Sequence, residues 1–211
     1  MKLCQLELGP KRAIEWILED FEIFIPQKVF DDGRANLLDT DDETRIIFFQ
    51  RVQNQVYYED ITACEELMRD YVHRLPPPDR THIDEGERIA TALALRLSYE
   101  CRQYVVLVTD DFKAIEPLRR ILEEHQIGLI KNSFDLLLFL AGRYRDVLVP
   151  EEVEIALRQL THLLRDNTPT APKHQKPDEV LESSRTFLTA ITDSSTKERL
   201  LDCINRQGEN K

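Results

Sequence analysis

The sequence contains few of the residues that define small disulfide-bonded or zinc-binding proteins. Among 211 residues there are five scattered histidines and four cysteines far apart in the chain: Cys4, Cys64, Cys101 and Cys203. No Cys-x-x-Cys pair or Cys/His cluster provides the ligand spacing of a zinc finger. We therefore interpret the cysteines as small buried side chains in a reducing compartment.

Long apolar runs are also missing. The longest, residues 134–141, contains Asp135 and is far shorter than the roughly 20 residues of a membrane helix. The N-terminus lacks the apolar core of a secretion signal. We therefore expect a cytoplasmic protein that does not span a membrane.

Positive charge is in deficit. Lysine and arginine number 28 against 39 aspartates and glutamates, which gives a formal net charge of −11. This charge repels nucleic acid on average, so a phosphodiester partner requires a local basic surface or bound cations. It does not exclude an active site built from clustered carboxylates, because net charge governs solubility and encounter rather than local chemistry.

Helix and strand patterns alternate from residue 10 to about residue 150. FEIFIP predicts a strand that ends at Pro26, and residues 84–99 predict a helix rich in small side chains. The run YVVLVT is typical of a strand buried on both faces of a parallel sheet. We predict an α/β domain over residues 1–165, with a mostly parallel central sheet in a three-layer α/β/α arrangement.

The composition changes abruptly after this domain. Residues 166–177 contain three prolines and no large apolar side chain, which predicts a linker. Residues 178–206 carry two short amphipathic patterns that predict C-terminal helices. About thirty residues cannot form a core alone, so these helices dock on the main domain or bind a partner.

Carboxylates follow two predicted strands and open one predicted helix. They form three pairs: Asp31 with Asp32, Asp84 with Glu87, and Asp110 with Asp111. In parallel sheets the ligand crevice lies beyond the carboxyl ends of the strands. Gathered carboxylates repel one another unless a cation neutralises them, and Mg²⁺ prefers oxygen ligands. The pattern therefore favours an acidic metal pocket that activates water for attack on a phosphodiester.

Each pair also has a purely structural interpretation. Asp84 and Glu87 can cap the helix that they open, and Asp110 and Asp111 can cap the following helix. Asp31 and Asp32 precede Gly33 and can belong to a solvated turn. Only the combination of the three pairs favours a site.

Three motifs in order, IP-QKV-FDD, DEGERIATALAL and VVLVTDD, resemble the PIN domain family (PilT N-terminus) over roughly residues 15–145. Members of that family are commonly metal-dependent ribonucleases, and they include the toxins of bacterial toxin–antitoxin operons. The resemblance implies an Mg²⁺ or Mn²⁺ cofactor and single-stranded RNA as the substrate.

The resemblance also assigns roles to individual residues. It implies Asp32, Glu87 and Asp111 as the catalytic carboxylates that bind the metal. Asp84 is the alternative to Glu87 and Asp110 is the alternative to Asp111, so all five are candidate metal ligands. Arg88 and Lys113 adjoin this pocket, and we predict that they contact substrate phosphates.

One family feature is missing from its usual place. Members begin with a strand that carries a first aspartate in a context like LDT, and no such strand precedes Ile14. The segment Leu37-Leu38-Asp39-Thr40 contains LDT but follows the IP motif, so Asp39 is a poor substitute for the family's first aspartate. Either the chain begins downstream of the family's usual start or the strand has been lost, and both leave the metal site one ligand short.

Two alternatives follow. The first is a catalytically impaired PIN-fold protein that acts as a binding or interaction module. The second, a phosphoacceptor receiver, is disfavoured because no lone aspartate and lysine stand at the expected strand ends.

Protein partners follow from charge and resemblance together. An acidic chain suits a basic partner, and a toxin-like protein implies an antitoxin, which we expect to bind through the helices after Glu151. The resemblance also suggests a homodimer, because toxins of the family often dimerise.

Overall fold

The structure is a computed structural model, and it describes residues 2–35, 46, 49–50, 52–58, 60–102, 104–166 and 179–186. The α-helices in this part are α1 (Ala13–Asp20), α2 (Gln27–Ala35), α3 (Thr62–Arg74), α4 (Pro77–Arg80), α5 (Glu85–Cys101), α6 (Phe112–Glu124), α7 (Ser133–Arg143) and α8 (Pro150–Asp166). Its strands are β1 (Glu7–Leu8), β2 (Lys11–Arg12), β3 (Ile25–Pro26), β4 (Val56–Tyr57), β5 (Val105–Val108) and β6 (Gly128–Lys131). Short 3-10 turns occupy Lys2–Gln5 and Gln53–Gln55, and residues 179–186 are helical.

The chain is mixed α/β, with short strands between helices. β3 pairs with β4, and β5 pairs with β6, both in parallel, whereas β1 and β2 are antiparallel. In the β5–β6 pair, Val105 lies opposite Gly128 and Val108 lies opposite Lys131. The predicted parallel strand at YVVLVT is therefore confirmed, in a two-stranded sheet.

The described residues divide into two compact units. The first comprises residues 18–133. Its main core lies where α5 contacts α3 and β5 and where α6 contacts β6. The buried side chains of that core are Met68, Ala92, Ala94, Leu95, Leu107, Ala114, Leu118, Ile121, Leu122, Ile127 and Ile130. The small side chains of α5 allow this close packing, as its composition predicts.

The second unit comprises residues 2–17 and the residues from 134 onward. α8 contacts β1 and the turn Lys2–Gln5. The buried Trp16 donates its indole N–H to the Leu8 carbonyl at 3.0 Å, and its ring lies 4.2 Å from that of Tyr144. These contacts hold residues from both parts of the sequence in one unit.

The strand predicted at FEIFIP is shorter than its pattern suggests. Only Ile25 and Pro26 pair with β4, and α2 begins at the next residue. Asp31, Asp32 and Gly33 therefore lie within a continuous helix, and their interpretation as a turn is wrong. The helix is favoured because Phe30 packs in a buried cluster.

The prediction that β5 is buried on both faces is also wrong. Leu107 is buried against the core, but Val106 and Val108 on the other face are 37% and 42% exposed. Leu129, opposite Val106 in β6, is 39% exposed. The physical reason is that helices cover one face of this two-stranded sheet, while the described residues leave the other face partly open to solvent.

Gly128 permits the close approach of β6 to β5. A Cβ atom at this position would lie 1.9 Å from the Val105 carbonyl oxygen. Any side chain here would force the two strands apart, so the pairing that leads to Lys131 requires glycine.

Several predictions fall largely outside the described residues. These concern Asp39, the linker at 166–177 and most of the C-terminal helices at 178–206, of which residues 179–186 are described. Within the described ranges, no helix has both the length and the apolar character needed to cross a membrane.

Candidate functional site

Asp84 and Glu87 form a reciprocal cap at the start of α5. The Asp84 Oδ1 accepts a hydrogen bond from the Glu87 backbone N–H at 2.8 Å. The Asp84 backbone N–H donates to the Glu87 Oε2 at 3.2 Å. This is a capping box, so the structural interpretation of the pair is confirmed. The cap also fixes the position of both carboxylates.

Thr109 connects this helix start to the end of β5. Its hydroxyl donates to the Glu87 Oε1 at 2.8 Å and accepts a hydrogen bond from the Asp111 backbone N–H at 3.1 Å. The sequence analysis includes Thr109 only as a letter of the VVLVTDD motif and does not predict its role. A threonine two residues before an aspartate at a strand end is a local signal for such a turn.

Asp111 caps α6. Its Oδ1 accepts a hydrogen bond from the Lys113 backbone N–H at 2.9 Å, and the side chain is exposed. The helix-capping interpretation is therefore confirmed for Asp111. We call Asp84, Glu87, Thr109 and Asp111 together the Glu87 cluster.

Glu87 is the electrostatic centre of this cluster. The pKa of Glu87 is raised from 4.5 to about 7, chiefly by burial and to a smaller extent by the negative charges of Asp84 and Asp111. Hydrogen bonds from Thr109 and the Asp84 backbone act in the opposite direction. Burial dominates because an ionised carboxylate loses hydration that two hydrogen bonds do not replace. Glu87 is therefore poised to gain or lose a proton near neutral pH.

Asp110 faces a different partner from its neighbour Asp111. Its Oδ1 accepts a hydrogen bond from the Ser133 backbone N–H at 2.8 Å, and its Oδ2 accepts one from the Ser133 hydroxyl at 2.7 Å. Ser133 is only 2% exposed. Both oxygens of Asp110, predicted as metal ligands, are thus engaged in holding Ser133.

Asp32 lies on α2, beside the start of α5. The Val29 side chain is 4.0 Å from the position of a Cβ atom at Gly86, which places the two helices in contact. The Asp32 Oδ1 accepts a hydrogen bond from the Lys28 Nζ at 2.9 Å, and both side chains are at least half exposed. The structure thus brings Asp84, Glu87 and Asp111 into electrostatic contact, whereas Asp32 is paired with a lysine.

The two predicted phosphate contacts differ in their surroundings. Arg88 is 20% exposed, and its Nη2 lies 3.8 Å from the Glu85 Oε1. Its Nη1 is buried and has no hydrogen-bond partner among the described residues. A buried donor without a partner is costly, but an atom this deeply buried is closed to a ligand unless the Arg88 side chain moves. Lys113 is exposed.

The donor atoms of the Glu87 cluster suit Mg²⁺ or Mn²⁺, which prefer carboxylate oxygens. Burial raises the pKa of Glu87 most and the charges of Asp84 and Asp111 add to it, and a bound cation would offset both effects by stabilising the ionised carboxylate. Within the described ranges, however, no group of three or more histidine, cysteine, aspartate or glutamate side chains is arranged to hold a metal ion. The Glu87 cluster therefore has the oxygen donors that such a cation prefers, but its side chains do not form a complete coordination shell.

Comparisons with known proteins leave the site to be interpreted from its own geometry. No family model, curated protein or solved structure matches the chain.

Proposed function

We propose that the chain is a metal-dependent ribonuclease with a PIN-like three-layer α/β/α domain. The observation that carries this proposal is the hydrogen-bonded connection from Glu87 through Thr109 to Asp111. It joins the start of α5 to the carboxyl end of β5, where parallel sheets commonly bind ligands. Residues more than twenty positions apart in sequence thereby share one electrostatic site.

Asp84, Glu87 and Asp111 would hold a divalent cation in this proposal, with Asp32 as a further donor from the adjacent α2. A bound cation supplies an activated water and offsets the charge of the scissile phosphate. The pKa of about 7 belongs to Glu87 in the metal-free protein, and it would fall if the carboxylate bound a cation, so metal binding would release a proton at neutral pH. The reciprocal cap and Thr109 hold its carboxylate in one orientation.

Arg88 and Lys113 would contact substrate phosphates. Arg88 supports this assignment because its guanidinium is partly exposed and it directly follows Glu87 in the sequence. Such contacts, together with a cation, would offset the net charge of −11 that otherwise opposes RNA binding.

The test is cleavage of an end-labelled single-stranded RNA by purified protein with Mn²⁺, with Mg²⁺ and with chelator. We expect cleavage that requires the metal and that Asp111→Asn abolishes. A DNA oligonucleotide of the same sequence separates ribonuclease from general nuclease activity. A folded wild-type protein that cleaves neither nucleic acid with either metal would refute the proposal.

A catalytically impaired binding module is the second candidate. It is favoured by the lack of a three-ligand group among the described residues. Calorimetric titration with Mn²⁺ and fluorescence titration with labelled RNA discriminate between the two. Binding of RNA without cleavage, unchanged by Asp111→Asn, would support the module.

An antitoxin-like partner bound through the helices after Glu151 and a homodimer are further proposals for this function. Light scattering after size-exclusion chromatography measures the mass of the 24.7 kDa chain in solution directly. A monomeric mass at all concentrations would refute the homodimer. Recovery of the chain alone in quantity from its native source would contradict a stable antitoxin complex.

A further inference from the structure

Two adjacent carboxylates at the end of β5 are used in different ways. Asp111 is exposed and belongs to the Glu87 cluster. Asp110 directs both side-chain oxygens to a single residue, accepting hydrogen bonds from the Ser133 backbone N–H at 2.8 Å and from its hydroxyl at 2.7 Å. Since Ser133 is 2% exposed, water cannot readily replace either bond.

The same turn is attached at a second point. The Thr109 backbone N–H donates to the Lys131 carbonyl at 3.0 Å, which continues the β5–β6 pairing one residue beyond the strand. Thr109 and Asp110 are thus both fixed to the end of β6. Asp111 follows directly, and its own N–H is held by the Thr109 hydroxyl.

We propose that Asp110 is a positioning residue for the Glu87 cluster and not a metal ligand. By binding Ser133 with both oxygens, Asp110 fixes the turn at residues 109–111 and so sets the place of Asp111 relative to Glu87. The catalytic consequence rests on the proposed ribonuclease function, whereas the structural consequence does not.

Ligation of a metal by Asp110 would carry a specific cost. If metal binding rotated the carboxylate away from Ser133, a buried N–H or hydroxyl would lose its partner. Buried donors in proteins are almost always paired, and leaving one unpaired is unfavourable. Asp111 can turn toward a ligand at lower cost, because its partner, the Lys113 backbone N–H, lies at an exposed helix start.

Two substitutions separate a positioning role from ligation. Asp110→Asn retains an oxygen for the Ser133 N–H and offers an amide donor to the Ser133 hydroxyl, so it preserves the contact while removing the charge. Asp110→Ala removes both. We expect Asp110→Asn to keep kcat within about threefold of the wild type, and Asp110→Ala to lower kcat at least about tenfold with KM for RNA unchanged.

Ser133→Ala provides the matched test from the other side. It removes the hydroxyl bond and keeps the backbone bond, so we expect a smaller loss than in Asp110→Ala. The double variant should fall no more than about twofold below Asp110→Ala, because both substitutions remove the same contact. All variants are assayed well below their unfolding midpoints, with the folded fraction checked by circular dichroism. An Asp110→Asn variant as inactive as Asp111→Asn would overturn the proposal in favour of ligation.

Amide hydrogen exchange provides a readout independent of cleavage. We expect Asp110→Ala to accelerate exchange at Thr109 and Asp111 at least about tenfold, and Asp110→Asn to leave it nearly unchanged. If the wild type cleaves no RNA, the ribonuclease proposal fails but the exchange experiment still tests the positioning role. Unchanged exchange in Asp110→Ala would overturn that role whatever the activity. If Asp110→Ala does not fold, Ser133→Ala is measured in its place, with faster exchange at Thr109 expected and unchanged exchange contradicting the proposal.

Discussion

The acidic pair on α2, Asp31 and Asp32, and the Glu87 cluster both consist mainly of carboxylates, but their physical environments differ. Asp31 and Asp32 are exposed, and Asp32 is paired with the flexible Lys28 one helical turn away. Glu87 is half-buried and is held by donors from its own helix start and from the end of β5. The comparison teaches that the proton affinity of a carboxylate depends on its burial and on partners distant in sequence. The number of adjacent acidic residues does not determine it.

The pKa values express this difference. The hydrogen bond and negative charge of Asp32 raise the pKa of Lys28 by stabilising its ammonium form. Burial raises the pKa of Glu87 to about 7 by destabilising its ionised form. The charge of Asp32 is therefore paired with that of Lys28. The carboxyl group of Glu87, in contrast, changes its charge near neutral pH, and a nearby cation would favour its ionised form.

The largest expected effect is on RNA cleavage. Glu87→Gln and Asp111→Asn should each lower kcat/KM at least about 100-fold, because each removes charge from the Glu87 cluster. Asp32→Asn should lower it less than about tenfold, since its carboxylate is engaged by Lys28. An equal loss in all three variants would show that α2 and the Glu87 cluster act as one site, and would break the comparison.

The second effect is on stability as a function of pH. The folded-state pKa of Glu87 is raised from 4.5 to about 7, so the folded protein binds a proton more tightly than the unfolded chain. This stabilisation is fully present below about pH 4.5 and is lost as pH rises through 7. Glu87→Gln should therefore increase the free energy of unfolding at pH 8 relative to the wild type, by about 1–2 kcal/mol once solvent screening of the partly exposed carboxylate is allowed for.

Urea unfolding at pH 5 and pH 8 measures this difference, and the advantage of Glu87→Gln should be small at pH 5. The control is Glu85→Gln on the same helix, whose side chain is 63% exposed. We expect that substitution to change stability by less than about 0.5 kcal/mol at either pH. A Glu87→Gln effect of equal size at both pH values would contradict the raised pKa.

A smaller effect is expected from Thr109→Val, which keeps the shape of the side chain and removes its hydroxyl. The variant loses the hydrogen bond to Glu87 and leaves the Asp111 N–H without its acceptor. We expect a loss of about 1–2 kcal/mol in the free energy of unfolding. The pKa of Glu87 should also rise further, because the Thr109 hydrogen bond lowers it.

Chemical denaturation measures the stability of Thr109→Val, and NMR titration measures the pKa of its Glu87 carboxyl. Thr109→Ser is the control. Serine retains the hydroxyl, so the stability and the Glu87 pKa of this variant should stay close to those of the wild type. An unchanged Glu87 pKa in Thr109→Val would show that the hydroxyl does not connect the two elements electrostatically.

The smallest effect concerns the pair on α2. Lys28→Met removes an exposed ion pair between residues four apart in one helix, and such pairs contribute little to folding. The unfolding midpoint in urea should be indistinguishable from that of the wild type in both low and high salt. A clear loss at low salt that disappears at high salt would show that the pair supports α2.

Local patterns were sufficient for much of the fold. The start of α5 follows from the cap formed by Asp84 and Glu87, and α3 ends at Arg74 because three prolines follow Leu75. The β-branched run at residues 105–108 identified a parallel strand. In each case the residues that predict the element lie within it or a few positions away.

The remaining features depend on contacts that local patterns do not encode. Asp110 binds a residue 23 positions away, and Thr109 binds one 22 positions away. The exposure of Val106 and Val108 depends on what covers the second face of the β5–β6 pair. For the same reason the sequence identified carboxylates near the end of β5 but could not separate Asp110 from Asp111.

The absence of a side chain at Gly128 affects the geometry of the candidate site. A methyl group there would collide with the Val105 carbonyl oxygen, and the displaced β6 would carry Lys131 and Ser133 with it. Those two residues anchor Thr109 and Asp110. A substitution at Gly128, which has no reactive group, would thus shift β6 and change the distance between the carboxylates of Glu87 and Asp111.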